Sequence, residues 1–271
     1  MATSRFKAFE VEFWTAKAQS YDILTGRVTR RLVEPLLDAA AVGPGTRMLD
    51  VASGTGHLAG AAARRGAHVT GIDLADPMLE IASQRYPAAT FRRGDAEALP
   101  FADQEVDAVT GAFVLNHLPD PEAALREVNR VLTPGGRAAF TVWRAPPPSR
   151  LVTLLSDASR AAGVERSGEV PPGPDPFRFA EHAEFARLLA GGGLDGVSVE
   201  TIELAHEAHD ADELWNGLLG GSARGSALVE GQNPPTRRRI RVEFERLVEE
   251  LRRGAVYRIS ADVELASGHK P

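Results

Sequence analysis

The stretch "MLDVASGTGHLAG" (Met48–Gly60) is an apolar run that ends in glycines at 54 and 56 and then takes on helical character. A strand that turns into a helix in this way aims backbone N–H groups at a ligand, and glycines let that ligand approach because they carry no Cβ. Taken alone, the pattern admits a phosphate, a nicotinamide dinucleotide or a ligand without phosphate. Two details weigh on the choice. Three residues separate Gly56 from Gly60, where the dinucleotide fingerprint has two, and Asp50 sits inside the strand, four positions before Gly54. A carboxylate there repels a pyrophosphate and suits a cationic ligand.

Outward from this stretch, short apolar runs alternate with helical ones. "RMLDVA", "HVTGID", "TFRRGD", "VDAVTGAFV" and "RAAFTVW" read as five strands, with "PEAALREVNRVL" a helix that "LTPGGR" closes with a turn. Such alternation predicts a parallel sheet covered on both faces. Before it lie an amphipathic segment (6–20) and a helix-like stretch (28–41). After Trp143 the rhythm breaks into Pro-rich "RAPPPSR" and "EVPPGPDPF" around a helical segment at 151–162. Further on come a helix and strand in "FAEHAEFARLLAGGGLDGVSVETIEL", two helical segments (210–220 and 234–253), and "AVYRISADVELA" as one long alternating strand.

Composition narrows the functions. The chain has 271 residues, no cysteine and a net charge of -6. Disulfides, thiolate metal sites and cysteine nucleophiles are thereby excluded. The acidic balance argues against a polyanion binder, because nucleic-acid affinity rests on many Lys and Arg contacts to phosphates. The basic run "TRRRIR" leads into "VEFERLVEELRR", where Val242, Phe244, Leu247, Val248 and Leu251 recur near helical spacing, so it reads as a solvated helix face. No apolar run reaches the ~18 residues of a membrane span, and "MATSRFKAFE" lacks the apolar core of a secretory signal, so a cytoplasmic location is expected. No histidine spacing suggests a metal site.

The pattern D-x-x-x-G-x-G after a strand resembles the first motif of class I S-adenosylmethionine-dependent methyltransferases, and the segments that follow match that family in order. "GIDLADPMLEIA" is similar to its second motif and "GDAEALPF" to its third. "VDAVTGAFVLNHLPDPEAALREVNRVLTPGGR" resembles the fourth strand and its helix in ubiquinone/menaquinone C-methyltransferase-like small-molecule enzymes. The likeness is close from Trp14 to about Trp143 and only general beyond.

The resemblance implies an α/β, Rossmann-like, seven-stranded and mostly parallel sheet whose last strand is antiparallel, with a helical cap made from insertions. The whole chain is expected to form one domain: an N-terminal lid (1–42), a cofactor core (43–144), cap insertions (145–178 and 207–253) and closing elements (179–206 and 254–271). It implies S-adenosyl-L-methionine as cofactor, held by Tyr21 from the lid, Asp50, Ala52, Gly54 and Gly56 from the first turn, and Asp73 on the ribose diol. Leu74 and Met78 would flank the adenine, Asp95 and Ala96 would meet its edge, and Asn116 would orient cofactor or substrate. For Asp50, organising the turn is as good a reading as direct contact. His117 is the candidate general base and His57 a candidate for the cofactor carboxylate. Trp143, Phe177, Phe179 and Trp215 are candidate walls of a substrate pocket.

The implied activity is methyl transfer to an O, N or C atom of a small, partly apolar molecule in natural-product or quinone metabolism. A protein of the same fold with cyclase or regulatory work is the alternative. A nicotinamide-dependent dehydrogenase is disfavoured by Asp50, the glycine spacing and the absence of a Tyr-x-x-x-Lys pair. The acceptor atom and the oligomeric state are not legible.

Overall fold

The computed structural model describes residues 2–147, 149–164 and 170–271; Pro148 and residues 165–169, within the expected cap insertion 145–178, lie outside the described residues. The five expected strands are β1 (Arg47–Val51), β2 (His68–Asp73), β3 (Thr90–Arg93), β4 (Val106–Ala112) and β5 (Leu132–Trp143). The "LTPGGR" segment is drawn into β5 through a register shift: Val106 pairs with Leu132, and Ala108 with Arg137. Beyond them come β6 (Asp195–Ile202), β7 (Ala205–Ala208), β8 (Arg252–Arg253), β9 (Val256–Ser260) and β10 (Val263–His269).

The main sheet has seven strands in the order β3-β2-β1-β4-β5-β10-β6. Strand β10 runs antiparallel to both β5 and β6, so the last strand of the chain is the reversed one, as expected. The expected single strand "AVYRISADVELA" is broken in two. Ala261 donates its N–H to the Leu204 carbonyl (2.8 Å), and the Asp262 carboxylate accepts the Leu204 N–H (3.0 Å). These bonds turn the chain, and β9 joins β7 and β8 in a separate three-stranded sheet.

The helices are α1 (Ala2–Lys17), α2 (Thr25–Ala39), α3 (His57–Arg64), α4 (Asp76–Arg85), α5 (Pro121–Val131), α6 (Leu154–Ala161), α7 (His182–Gly191), α8 (Ala211–Gly221), α9 (Ala223–Glu230) and α10 (Pro234–Glu249). A 3-10 turn at Ala18–Ile23 links α1 to α2. Because strand side chains alternate, β1 sends Met48 into the core shared with α2, α3 and α8–α10, and Leu49 into the core under α5 and α7. On α10, Ile240, Phe244 and Val248 are fully buried while Val242 is 62% exposed, so the apolar stripe is narrower than its composition suggests. No helix among the described residues is long and apolar enough to cross a membrane.

Candidate active site

Strand order reverses between β1 and β4, and the crevice left there opens at the carboxyl ends of the strands. Two non-glycine residues at those ends hold left-handed backbone: Ala52 after β1 (φ 54°) and Phe113 after β4 (φ 59°). Each such conformation costs on the order of 1–3 kcal/mol and persists only where neighbours fix it. Here the Ser53 N–H donates to the Ile72 carbonyl (2.8 Å) and the Phe113 N–H to the Thr141 carbonyl (2.9 Å). Both strained residues line the cleft.

Asp73, at the end of β2, locks two turns together. Its Oδ2 accepts the Gly54 N–H and its Oδ1 the Ala75 N–H, each at 2.9 Å. Burial pushes its carboxyl up from the usual range; the N–H bonds oppose that rise and Asp76 adds to it. The side chain faces the cleft, so lone pairs not used by the backbone can accept ligand hydroxyls.

The glycines of the first turn do different work. Gly54 (φ +52°) lines the cleft, and a Cβ there would point across it to the Tyr21 ring, 3.9 Å away. Gly56 (φ +83°) faces inward, where a Cβ would come within 2.9 Å of Ala82 Cβ and 3.0 Å of the Phe91 ring. The second glycine therefore serves packing of α3 rather than ligand approach.

Asp50 does not line the cleft. It borders a small polar chamber behind Tyr21, where its carboxylate accepts from the Ala59 N–H (3.2 Å) and the Thr110 hydroxyl (3.4 Å). Burial pushes its pKa up to about 7, the nearby Asp73 charge reinforcing the shift against those two bonds. His57 is also turned away. Its Nε2 meets Asp22 Oδ1 at 2.7 Å and its Nδ1 meets the Tyr86 hydroxyl at 3.0 Å. Burial alone would raise the Asp22 carboxyl, but the bonds from His57 and Arg85 outweigh it and hold Asp22 below the usual carboxylate range.

Tyr21 lies against the cleft with its hydroxyl 3.0 Å from the Thr29 hydroxyl, and burial pushes that phenol up to about 12. Leu74, Met78 and Ala96 line the wall beyond Asp73. Asp95 is paired with Lys7 of α1, which also reaches Glu97, both at 2.5 Å. Asn116 is buried in the turn after β4, and its Oδ1 has no hydrogen-bond partner among the described residues.

His117, half-buried, ends that same turn and faces the cleft. Its Nδ1 sits 3.0 Å from Glu10 Oε2, an oxygen that also accepts the Trp14 indole N–H at 3.1 Å. The Trp14 ring meets the imidazole edge-on at 5.7 Å. With Nδ1 committed to Glu10, Nε2 is the nitrogen available to a ligand. Glu10 is 5% exposed, and its Oε1 is buried without a partner among the described residues.

At the apolar end, Trp143 stacks on Phe113 with ring centroids 4.1 Å apart and 15° between planes. The other expected pocket aromatics do not line this cleft. Trp215 packs edge-on against Phe244 (5.0 Å) under Arg241, Phe179 is buried beside Phe185, and Phe177 packs against the core under α2.

Sequence reasoning did not single out Lys7, Glu10 or Phe113. A signal for two of them existed: Lys7, Glu10, Val11 and Trp14 all line the cleft and follow i, i+3, i+4, i+7 spacing, one helix face carrying two charges and an indole.

Residues 49–140 match the family model of the methyltransferase domain. The chain is similar to the demethylmenaquinone methyltransferase of Paenarthrobacter aurescens, at 38% identity over 71% of this chain and 81% of that protein. It is also similar to the demethylmenaquinone methyltransferase of Renibacterium salmoninarum, at 41% identity over 46% of this chain; the match spans 53% of that relative's length. Among solved structures, the YcgJ protein of Bacillus subtilis shares the fold, with a TM-score of 0.57 and 21% identity over 89% of this chain and 98% of that one.

Proposed function

We propose, from the premise that the chain belongs to the class I S-adenosylmethionine-dependent methyltransferases in their quinone C-methyltransferase-like group, that it methylates a small, flat, hydroxylated aromatic such as a quinol. The observation that carries the reading is the composition of one cleft: a carboxylate anchor at Asp73, a carboxylate-oriented histidine at His117 and a stacked aromatic wall at Trp143 and Phe113.

The cleft fits the cofactor. Asp73 offers carboxylate lone pairs to a ribose diol, Gly54 leaves its side of the cleft without a Cβ, and Oε1 of Glu10, which lines the cleft, is a buried acceptor still to be satisfied. When bound, S-adenosylmethionine supplies an electrophilic methyl group on a sulfonium centre.

The remaining work falls to the chain. Asp73 and the turn it locks fix one end of the site, while Tyr21 and Trp14 cover it and exclude water. The Trp143–Phe113 wall presents an apolar face on which a flat ring lies at low entropic cost. His117 Nε2 takes the hydroxyl proton of the acceptor, which makes the ring carbon or the oxygen nucleophilic. Glu10 holds the tautomer that leaves Nε2 unprotonated and steadies the imidazolium that forms. Positioning supplies the largest share, since correct alignment of reacting groups is worth roughly 7–11 kcal/mol.

The test is release of S-adenosylhomocysteine by the purified protein with a short-chain demethylmenaquinol, the product read by mass spectrometry. Methylated quinol is the expected product. Turnover of an amine acceptor with the quinol left untouched would refute the assignment, as would cofactor binding with no methyl transfer to any hydroxylated aromatic.

A further inference from the structure

On the other side of the stacked wall lies a second cleft of about 950 Å³, bounded by α2, the β6–β7 connection, β8 and the β9–β10 corner. Trp143 faces the first cleft and the next residue, Arg144, faces this one. Five arginines line it, at 27, 31, 144, 253 and 258, against three carboxylates, Glu203, Glu207 and Asp262.

The pairing inside is uneven. Arg27 is bound to Glu213, Arg258 lies 3.8 Å from Glu207, and Arg144 lies 3.5 Å from the buried Glu264. Asp262 is spent on the Leu204 N–H. Arg31 and Arg253 are held by carbonyl oxygens instead: Arg31 donates to Ala205 O (2.7 Å), and Arg253 to Arg252 O (2.7 Å) and Glu250 O (3.3 Å). Neither has a carboxylate within ion-pair distance among the described residues. Carbonyl contacts orient a guanidinium without neutralising it, which leaves its remaining N–H groups for a planar oxyanion.

His206 supplies the second observation. It lines the cleft, is 6% exposed, and its Nε2 is buried with no hydrogen-bond partner among the described residues. Burial pushes its pKa down, with Arg27 and Arg31 lowering it further against Glu213 and Glu207. Leaving such a group unsatisfied is costly, and native structures rarely do so without a role for the site.

We infer that this cleft is a binding site for a phosphate group, gripped by Arg31 and Arg253, separate from the methyl-transfer cleft. Its occupant is a free phosphate ester or the phosphate of an anionic lipid headgroup.

The experiment measures binding to the full chain at 0.15 M salt. Inorganic phosphate and glycerol 3-phosphate are titrated by calorimetry, and vesicles of pure phosphatidylcholine or of equal phosphatidylglycerol and phosphatidylcholine are tested by cosedimentation. The variants are Arg31→Ala/Arg253→Ala and, separately, His206→Asn. Both arginines are exposed, so the double variant keeps its fold, which a thermal melt checks. One site for the soluble phosphates, weakened at least tenfold in the double variant, supports the inference with a free ester as occupant. Binding only to the anionic vesicles, lost in the same variant, supports it with a lipid phosphate. Binding that the double variant leaves unchanged, or binding to neither probe, overturns it. S-adenosylhomocysteine affinity, expected to stay within twofold in both variants, reports any damage to the methyl-transfer cleft.

Discussion

In the turn after β1, the Asp73 carboxylate grips the N–H groups of Gly54 and Ala75 at 2.9 Å. Helix α10, by contrast, buries Ile240, Phe244 and Val248, each with 0% of its surface exposed, in the apolar core. Hydrogen bonds to charged groups fix atoms to tenths of an ångström, whereas apolar burial needs only about the right volume. A substitution in the first region should therefore change chemistry while the fold survives. One in the second should cost stability while the chemistry survives.

The largest effect expected is at His117. With Nδ1 held by Glu10, loss of the imidazole removes the proposed proton acceptor and leaves the proposed anchor at Asp73 intact. His117→Ala should lower single-turnover rates roughly 10² to 10⁴-fold, with S-adenosylhomocysteine affinity within a few-fold of wild type. A rate within a few-fold of wild type at saturating ligands would leave positioning alone as the catalytic device.

Asp73→Ala comes next. A charge-assisted hydrogen bond is worth about 1.5–3 kcal/mol, so cofactor affinity should fall by at least about tenfold. Unchanged affinity by calorimetry would remove Asp73 from the ribose site and make it purely a staple between the two turns.

Trp215 tests the other half of the comparison. It is half-buried against Phe244 and Arg241, away from the cleft. Truncating a large buried aromatic costs about 3–5 kcal/mol, so Trp215→Ala at this partial burial should cost about 2 kcal/mol. Chemical denaturation reads that loss, and the acceptor and cofactor constants should be unmoved. A selective rise in the acceptor constant would instead put Trp215 in the substrate pocket.

The same contrast explains what the sequence could reveal. Gly54, Asp73 and Ala96 are legible because each belongs to a short segment whose spacing encodes a turn, and those segments meet at the ends of adjacent strands. Glu10 is not legible in that way, since its partner His117 stands 107 residues away and only the docking of α1 brings them together. The candidate pocket aromatics Phe177, Phe179 and Trp215 show the opposite difficulty, because an indole or phenyl is the same signal in a pocket wall and in a core. The split of β9 from β10 rests on Ala261 and Asp262, whose bonds to Leu204 depend on a strand pairing that alternation cannot express.

The smallest effect expected is at Tyr21, which combines the two kinds of holding. Its ring covers Gly54 and its hydroxyl bonds Thr29 of α2, so packing and a directional bond are combined in one side chain. Tyr21→Phe keeps the ring and removes only the hydroxyl. A neutral hydrogen bond contributes about 0.5–1.5 kcal/mol net, and the Thr29 hydroxyl left behind still donates to the Thr25 carbonyl at 3.0 Å. The denaturation midpoint should therefore drop by about 1 kcal/mol equivalent while cofactor affinity changes by less than about threefold. If affinity instead fell as far as in Asp73→Ala, the hydroxyl would be fixing the lid over the ligand, and the cover of the cleft would belong with the hydrogen-bonded region.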